Sequence, residues 1–201
     1  DGRWAKLVPG YRTSKDNGKT WSQIRILGDG LHNRSDGTQL QGNSLVTSDG
    51  KIIFVADDRA STSCIIVSED GGQTWETRGF SGNTKTNKRI AGIHANVVEI
   101  DDVNGDGEND LLALGRDGGR NFKGVLPKSI SIDGGYTWSR SATELPSIST
   151  GRRVSLIRLD HSKYSGKKPL IMTGFGELEA KDTDGKSALV SGLYAALSFD
   201  E

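Results

Sequence analysis

One histidine, several arginines and several carboxylates fall at matching points of a repeating sequence. Together they have the makings of an acid/base site for an anionic ligand. His94 opens an apolar run, His94-Ala-Asn96-Val97-Val98-Glu99-Ile100, and Arg116 closes the next, Leu111-Leu-Ala-Leu-Gly-Arg116. Asp57, Asp58 and Arg59 close the corresponding run one repeat earlier. Arg152 and Arg153 open a run one repeat later, and Arg120 and Glu177 lie near further run ends. An imidazole takes or gives a proton near neutral pH. A guanidinium is a planar fork that grips a carboxylate through two parallel hydrogen bonds. His94, Asp58 and Asp57 are therefore the candidate catalytic groups. Arg116, Arg59, Arg153, Arg120 and Glu177 are the candidate substrate-binding groups. Consecutive residues of a strand point to opposite faces, so only one of Arg152 and Arg153 faces a shared pocket, and Arg153 is preferred. His32 and His161 sit in polar stretches and read as surface residues.

A second constellation is Asp102-Val-Asn104-Gly-Asp106-Gly107-Glu108-Asn-Asp110, which fits D-x-N-x-D-G-x-x-D. Oxygen ligands from Asp102, Asn104, Asp106, Glu108 (through its backbone carbonyl) and Asp110 suit a calcium ion, with Gly107 at the sharp turn. The bidentate glutamate that would complete an EF-hand is missing, so the loop reads as a calcium hairpin.

These groups must be positioned by something that repeats. Ser14-Lys-Asp16-Asn-Gly18-Lys-Thr20-Trp21 recurs as Ser68-Glu-Asp70-Gly-Gly72-Gln-Thr74-Trp75 and as Ser131-Ile-Asp133-Gly-Gly135-Tyr-Thr137-Trp138. The chain ends in what begins as a fourth copy, Ser198-Phe-Asp200-Glu201. A repeat of about 60 residues marks stacked supersecondary units. Within each copy the Asp carboxylate can accept the turn's N–H groups, the Gly supplies a positive φ, the Thr hydroxyl ties the turn and the Trp buries area. Between copies, 44–47, 51–55 and 63–67 read as three strands, with a fourth beginning at Glu76. The runs 97–100, 111–114 and 128–131 repeat this pattern, as do 154–157, 169–172 and 193–197. Four antiparallel strands per repeat make a β-propeller blade.

Composition agrees with an all-β chain. Glycine is 27 of 201 residues, about twice the usual ~7%, while proline is only 4, so the glycines mark tight turns. Lys plus Arg and Asp plus Glu are 26 each, which leaves no basic footprint for nucleic acid. No apolar run approaches the ~20 residues of a membrane helix. Cys64 is the one cysteine and reads as a buried strand residue.

The eight-residue motif resembles the Asp box, and over essentially its whole length the chain resembles the sialidase, or neuraminidase-like, family of BNR-repeat propellers. The resemblance implies an all-β, sialidase-type propeller, six-bladed when complete, with about three to four blades expected in residues 1–201 as a single, partial domain. It implies a site with arginines for a substrate carboxylate, a Tyr/Glu nucleophile pair and an acid/base Asp. The segment from His94 to Ile100 and the strand ending in Arg116 match the family's pattern, which puts Arg116 where a carboxylate-binding arginine would be. His94 stands where the family has the glutamate that activates the tyrosine. No tyrosine here has the nucleophile's sequence context, and Tyr194, in a third strand, reads as structural.

In a propeller, the starts of innermost strands and the ends of second strands share one face near the axis, while the Asp boxes mark the other. His94, Arg116, Arg153, Asp57 and Asp58 converge on the first. The calcium loop lies on the second, so its ion is expected to be structural. The leading reading is a sialidase-like exo-glycosidase that removes a terminal acidic sugar from a glycan. One alternative is a lyase on uronate polysaccharides, with His94 as base. Another is a non-catalytic carbohydrate-binding propeller. The expected partners are a glycan and the remainder of the chain's own propeller, with no nucleic acid and no membrane span. The expected location is secreted, periplasmic or cell-surface.

Overall fold

The computed structural model describes residues 9–27, 39–58, 62–80, 89–116, 122, 124–148, 153–159 and 168–199. Arg59, Arg120, Arg152, His32 and His161 lie outside the described residues.

Among the described residues, four antiparallel sheets follow one another in chain order. The first pairs β1 (Gly10–Tyr11) with β2 (Arg25–Ile26). The second has the order β3 (Leu40–Val46), β4 (Ile52–Asp58), β5 (Thr62–Ser68), β6 (Glu76–Arg78), with β7 (Ile90–Ala91) pairing β5 off that path. The third is β8 (Ile93–Ile100), β9 (Asp110–Arg116), β10 (Val125–Ser131), β11 (Ser139–Pro146). The fourth is β12 (Ser155–Arg158), β13 (Leu170–Lys181), β14 (Ser187–Ser198). The third sheet is the four-stranded meander that the repeat predicts, and the second is the same meander with β7 added beside β5. Among the described residues no helix is long and apolar enough to cross a membrane.

Alternation along each strand explains the stacking. Ile53, Val55, Ile65 and Val67 face the third sheet's Ala95, Val97, Leu111 and Ala113 in one core. The residues between them, Ala56, Cys64 and Ile66, face Leu27 and Tyr11 of the first sheet in another. Val98, Leu112 and Leu114 turn the other way, onto Leu156, Leu170 and Met172. Because both faces of the inner sheets are covered, their strands read as nearly continuous apolar runs. Each fully buried Ile, Leu or Val is worth roughly 1.5–3 kcal/mol over leaving it in water. Cys64 is fully buried as expected.

The eight-residue motif closes the link between the last two strands of a sheet. In all three copies the Ser Oγ donates to the Asp, the N–H of the shared glycine (Gly18, Gly72 or Gly135) donates to the Ser Oγ at 2.8 Å, and the Thr Oγ1 donates to Asp Oδ2. These donors hold the Asp16, Asp70 and Asp133 carboxyls below the ordinary value. Trp21 and Trp138 each donate to a glycine carbonyl of their own turn at 3.0 Å. In the middle copy Tyr11 takes that acceptor, Gly72 O, at 2.5 Å instead.

Two expectations change in extent. The strands read at 169–172 and 193–197 are parts of a hairpin of two twelve-residue strands, in register from Leu170↔Ser198 to Lys181↔Ser187. Gly174, Gly176, Glu177 and Glu179 weaken the β signal there, and main-chain pairing carries the hairpin through them. Trp21, expected to be buried, is 57% exposed. It has no preceding sheet to pack against among the described residues.

Candidate active site

The main chain around His94 is shaped by glycines. Ile93 pairs with Arg116 and Asn96 with Leu114, so His94 and Ala95 together oppose Gly115 in a β-bulge. His94 sits in the left-handed region at φ 55°. A non-glycine residue held there is strained, and such strain concentrates at functional sites. Gly92 has φ 78°, and a Cβ on it would lie 2.7 Å from the Arg116 main chain. A Cβ on Gly115 would lie 2.1 Å from Ala91 O. Only glycine at both positions lets the β7–β8 link close on the end of β9, which fixes where Arg116 begins.

The bulge presents His94 to Asp57. The His94 N–H donates to Asp57 Oδ1 at 2.7 Å, and His94 Nε2 stands 3.1 Å from Asp57 Oδ2. Ser63, paired with Asp57 across β4 and β5, receives the Ala95 N–H at 3.4 Å and donates to Gly92 O at 3.1 Å. It also hydrogen-bonds Asp57. Asp58, the next residue, points the other way and lies 3.9 Å from Arg89 Nε. The two carboxylates are therefore separated by strand alternation, and Asp57 is the one the bulge engages.

Two cations complete the cluster. Arg116 is 8% exposed, at the end of β9. Arg153, just before β12, donates from Nη1 to Gln41 Oε1. Asn96 Nδ2 donates to Val154 O at 2.6 Å and so ties the bulge to the segment carrying Arg153. Burial, followed by the charges of Arg153 and Arg116, lowers His94 to about 4. Burial raises Asp57 to about 6, against the pull of the His94 N–H, Arg153, Arg116 and Ser63. Burial also pulls Arg116 downward, with Asp57 acting against it.

At neutral pH the imidazole is thus uncharged and Asp57 is ionised. An ionised carboxylate only accepts, so it selects the tautomer with hydrogen on Nε2. Nδ1 is left with its lone pair, and it is buried without a hydrogen-bond partner. Arg116 Nη1 and Gln41 Nε2 are likewise buried and unpartnered. The arrangement can move a proton at Nδ1 beside groups that bind an anion.

The remaining candidates fall elsewhere. Glu177 is exposed on β13, opposite Ser191. In the 102–110 loop, Asp102 accepts the N–H groups of Gly105, Asp106 and Gly107, and Asn104 and Asp106 accept those of Asp106 and Glu108. Asp110 is buried and accepts the Val103 N–H at 2.8 Å. Among the described residues no three His, Cys, Asp or Glu side chains converge on a point that could hold a metal ion. Tyr194 donates to Pro146 O at 3.4 Å. A cavity of about 490 Å³ between the third and fourth sheets is lined by Leu112, Leu114, Leu156, Leu170 and Met172, with Lys128 and Glu144.

Nothing in the sequence pattern singles out Gln41, Ser63 or Asn96. Ordinary polar residues in strands carry no spacing signal. Only Gly92, two residues before His94, hints at the bulge.

Comparison with known proteins now adds to this geometry. The model of the BNR repeat-like domain matches residues 2–163, more than half of the chain. The chain belongs to the BNR repeat-like family. It is 27% identical over 173 residues to a sialidase of Paraclostridium sordellii, covering 75% of this chain and 39% of the sialidase. Among solved structures, the intramolecular trans-sialidase of Ruminococcus gnavus, in complex with oseltamivir carboxylate, superposes with TM-score 0.62 at 22% identity. That match covers 92% of this chain and 40% of the other. The leech intramolecular trans-sialidase, complexed with 2,7-anhydro-Neu5Ac, gives 0.63 at 19%, covering 95% and 29%. A Dyadobacter fermentans protein of unknown function gives 0.60 at 17%, covering 94% and 47%. The chain therefore spans less than half the length of these relatives. It has a sialidase-like, all-β propeller fold, with about three to four blades in these residues. A fold of this kind does not by itself fix function, which lies in the residues of the site.

Proposed function

We propose that this chain carries part of a glycoside hydrolase site that acts on a glycan with an acidic terminal sugar. The observation that supports it is the Asp57–His94 pair held between Arg116 and Arg153, with Arg116 Nη1 buried and unpartnered. Arg116 holds the sugar's carboxylate, and Asp57 orients His94 so that Nδ1 takes or returns the proton that moves at the reacting centre. The fold likeness to sialidases and trans-sialidases agrees with an acidic sugar.

A screen of acidic glycans against the full-length protein tests this, with His94→Ala and Arg116→Ala in parallel. Release of a free acidic sugar, lost in both variants, is expected. Binding of acidic glycans without turnover, abolished by Arg116→Ala, would replace the enzyme by a carbohydrate-binding propeller. The neutral His94, with a bare Nδ1 beside an arginine, also suits proton abstraction from a uronate. Appearance of an unsaturated uronate would move the assignment to a lyase.

We also propose calcium for the 102–110 loop, from the chemistry of its donors. Asp102, Asn104, Asp106, Glu108 and Asp110 would hold it, the side chains of Asp102, Asn104, Asp106 and Asp110 having to turn from the loop's own N–H groups to do so, and it would stiffen the β8–β9 hairpin away from His94. Calcium is expected to raise the melting temperature, and Asp106→Asn to remove the rise. An unchanged melting temperature would reject it.

A further inference from the structure

Gln41 sits on β3, one residue before Gly42, and β3 runs close to the bulge there. A Cβ on Gly42 would lie 2.9 Å from Asn96 Oδ1 and 3.0 Å from Ala95 O. The Gln41 amide has a defined orientation. Arginine can only donate, so the atom meeting Arg153 Nη1 must be Oε1. That leaves Nε2, with two N–H donors, buried without a partner on a residue 7% exposed. Buried donors are nearly always satisfied, so an orphan marks a missing acceptor. Arg116 Nη1 is a second such orphan. Arg153 links the two, since it holds Gln41 and its charge is felt at Arg116, His94 and Asp57.

We propose that Gln41 is a specificity-determining residue of this site, whose Nε2 donates to an oxygen of the ligand beside Arg116 Nη1. The inference rests on the acidic-sugar reading above and deepens it. The carboxylate is gripped by one guanidinium and one neutral amide, while Arg153 stays engaged with Gln41 Oε1. An oxygen acceptor satisfies Nε2, whereas a C–H or N–H at the same place leaves it unpaired, and sites of this kind discriminate strongly. Gln41→Glu inverts the arrangement. The new carboxylate pairs with Arg153 and sets a negative charge against that of the ligand.

The test is calorimetric titration of N-acetylneuraminate, galacturonate and galactose into the full-length wild type, Gln41→Met and Gln41→Glu. Melting curves confirm that each variant is folded. Methionine keeps the volume and removes the donor. The wild type should bind at least one of the two acids more tightly than galactose. Gln41→Met should weaken that acid about tenfold or more, and Gln41→Glu should abolish it, with galactose unaffected by either change. A folded variant that binds the acid within about twofold of wild type would overturn the role of Gln41 while leaving the acidic-sugar reading intact. A wild type that binds neither acid would remove both. If one variant fails to fold, the other decides.

Discussion

A single carboxylate, that of Asp57, grips His94 twice. One oxygen accepts the His94 backbone N–H at 2.7 Å and the other meets the ring Nε2 at 3.1 Å. The double contact holds a histidine in a left-handed conformation and fixes its ring in the same step. It also couples two groups whose titrations are displaced in opposite directions.

That opposition has a consequence for stability. His94 is lowered from 6.5 to about 4, so its contribution is full above pH 6.5 and is lost as pH falls toward 4. Asp57 is raised from 3.8 to about 6, so its contribution is full below pH 3.8 and is lost as pH rises through 6. Between about pH 4 and 6 the two slopes oppose each other. Subtracting the wild-type melting profile from each variant's should expose them singly. His94→Gln should lose stability as pH rises through this window, and Asp57→Asn should lose it as pH falls. Parallel profiles for all three proteins would refute the coupling.

Arg116 acts on the same pair. Its charge lowers both Asp57 and His94, so Arg116→Gln should raise both pKa values. The acidic limb of the pH–activity profile should move upward, and binding of an acidic sugar should weaken by ~10-fold or more for the lost charged hydrogen bond. Arg116→Lys keeps the charge without the fork and should restore the limb but not the affinity. A limb that stays in place in Arg116→Gln would place Arg116 outside the field of Asp57.

Much of this was legible in the sequence, and the rest was not for identifiable reasons. The motif around Asp16, Asp70 and Asp133 is local, so its hydrogen bonds follow from residue types at fixed spacing. The convergence of His94, Asp57, Arg116 and Arg153 follows from strand order, because run starts and run ends alternate between the two faces. What stayed hidden is non-local. Gln41 reaches Arg153 across 112 positions of sequence, and no periodicity announces such a pair. Choosing between Asp57 and Asp58 required the bulge at His94–Ala95, which a one-residue register shift creates. The hairpin 170–198 extends beyond its sequence signal because two glycines and two glutamates interrupt its β pattern.

Arg78 clasps the second sheet to the third, and its side chain is 4% exposed. It donates to Glu69 at 2.8 Å, to Glu76 at 2.9 Å and to Gly134 O at 3.1 Å, and lies 4.3 Å over the Tyr136 ring. Tyr136 in turn donates to Glu76 at 2.9 Å. Both glutamates are more than half exposed, so solvent screens the ion pairs and the stacked, hydrogen-bonded guanidinium carries most of the effect. Arg78→Ala should cost about 2 kcal/mol, read as a lower midpoint in urea. Arg78→Lys should recover little, because a point charge cannot serve these partners at once. A loss below about 0.5 kcal/mol would reduce the clasp to a surface contact.

Trp21 and Trp138 hold the same place in two copies of one motif and make the same 3.0 Å hydrogen bond to their own turn. Their surroundings separate them. Trp138 is 1% exposed, within the core shared by the second and third sheets. The Gly79 position leaves room for the indole: a Cβ there would lie 2.7 Å from Trp138 Nε1. Trp21 stands 57% exposed at the edge of the first sheet. If the motif stabilised mainly through its own turn, the two tryptophans would matter equally. Packing between sheets instead predicts that Trp138→Ala costs about 3–5 kcal/mol, as large core truncations do, and Trp21→Ala about 0.5 kcal/mol or less, as at an exposed site. Gly79→Ala should be destabilising as well, by crowding the indole and by its φ of 69°. Chemical denaturation of the three variants decides the matter, and equal losses for the two tryptophans would return the motif's contribution to the turn itself.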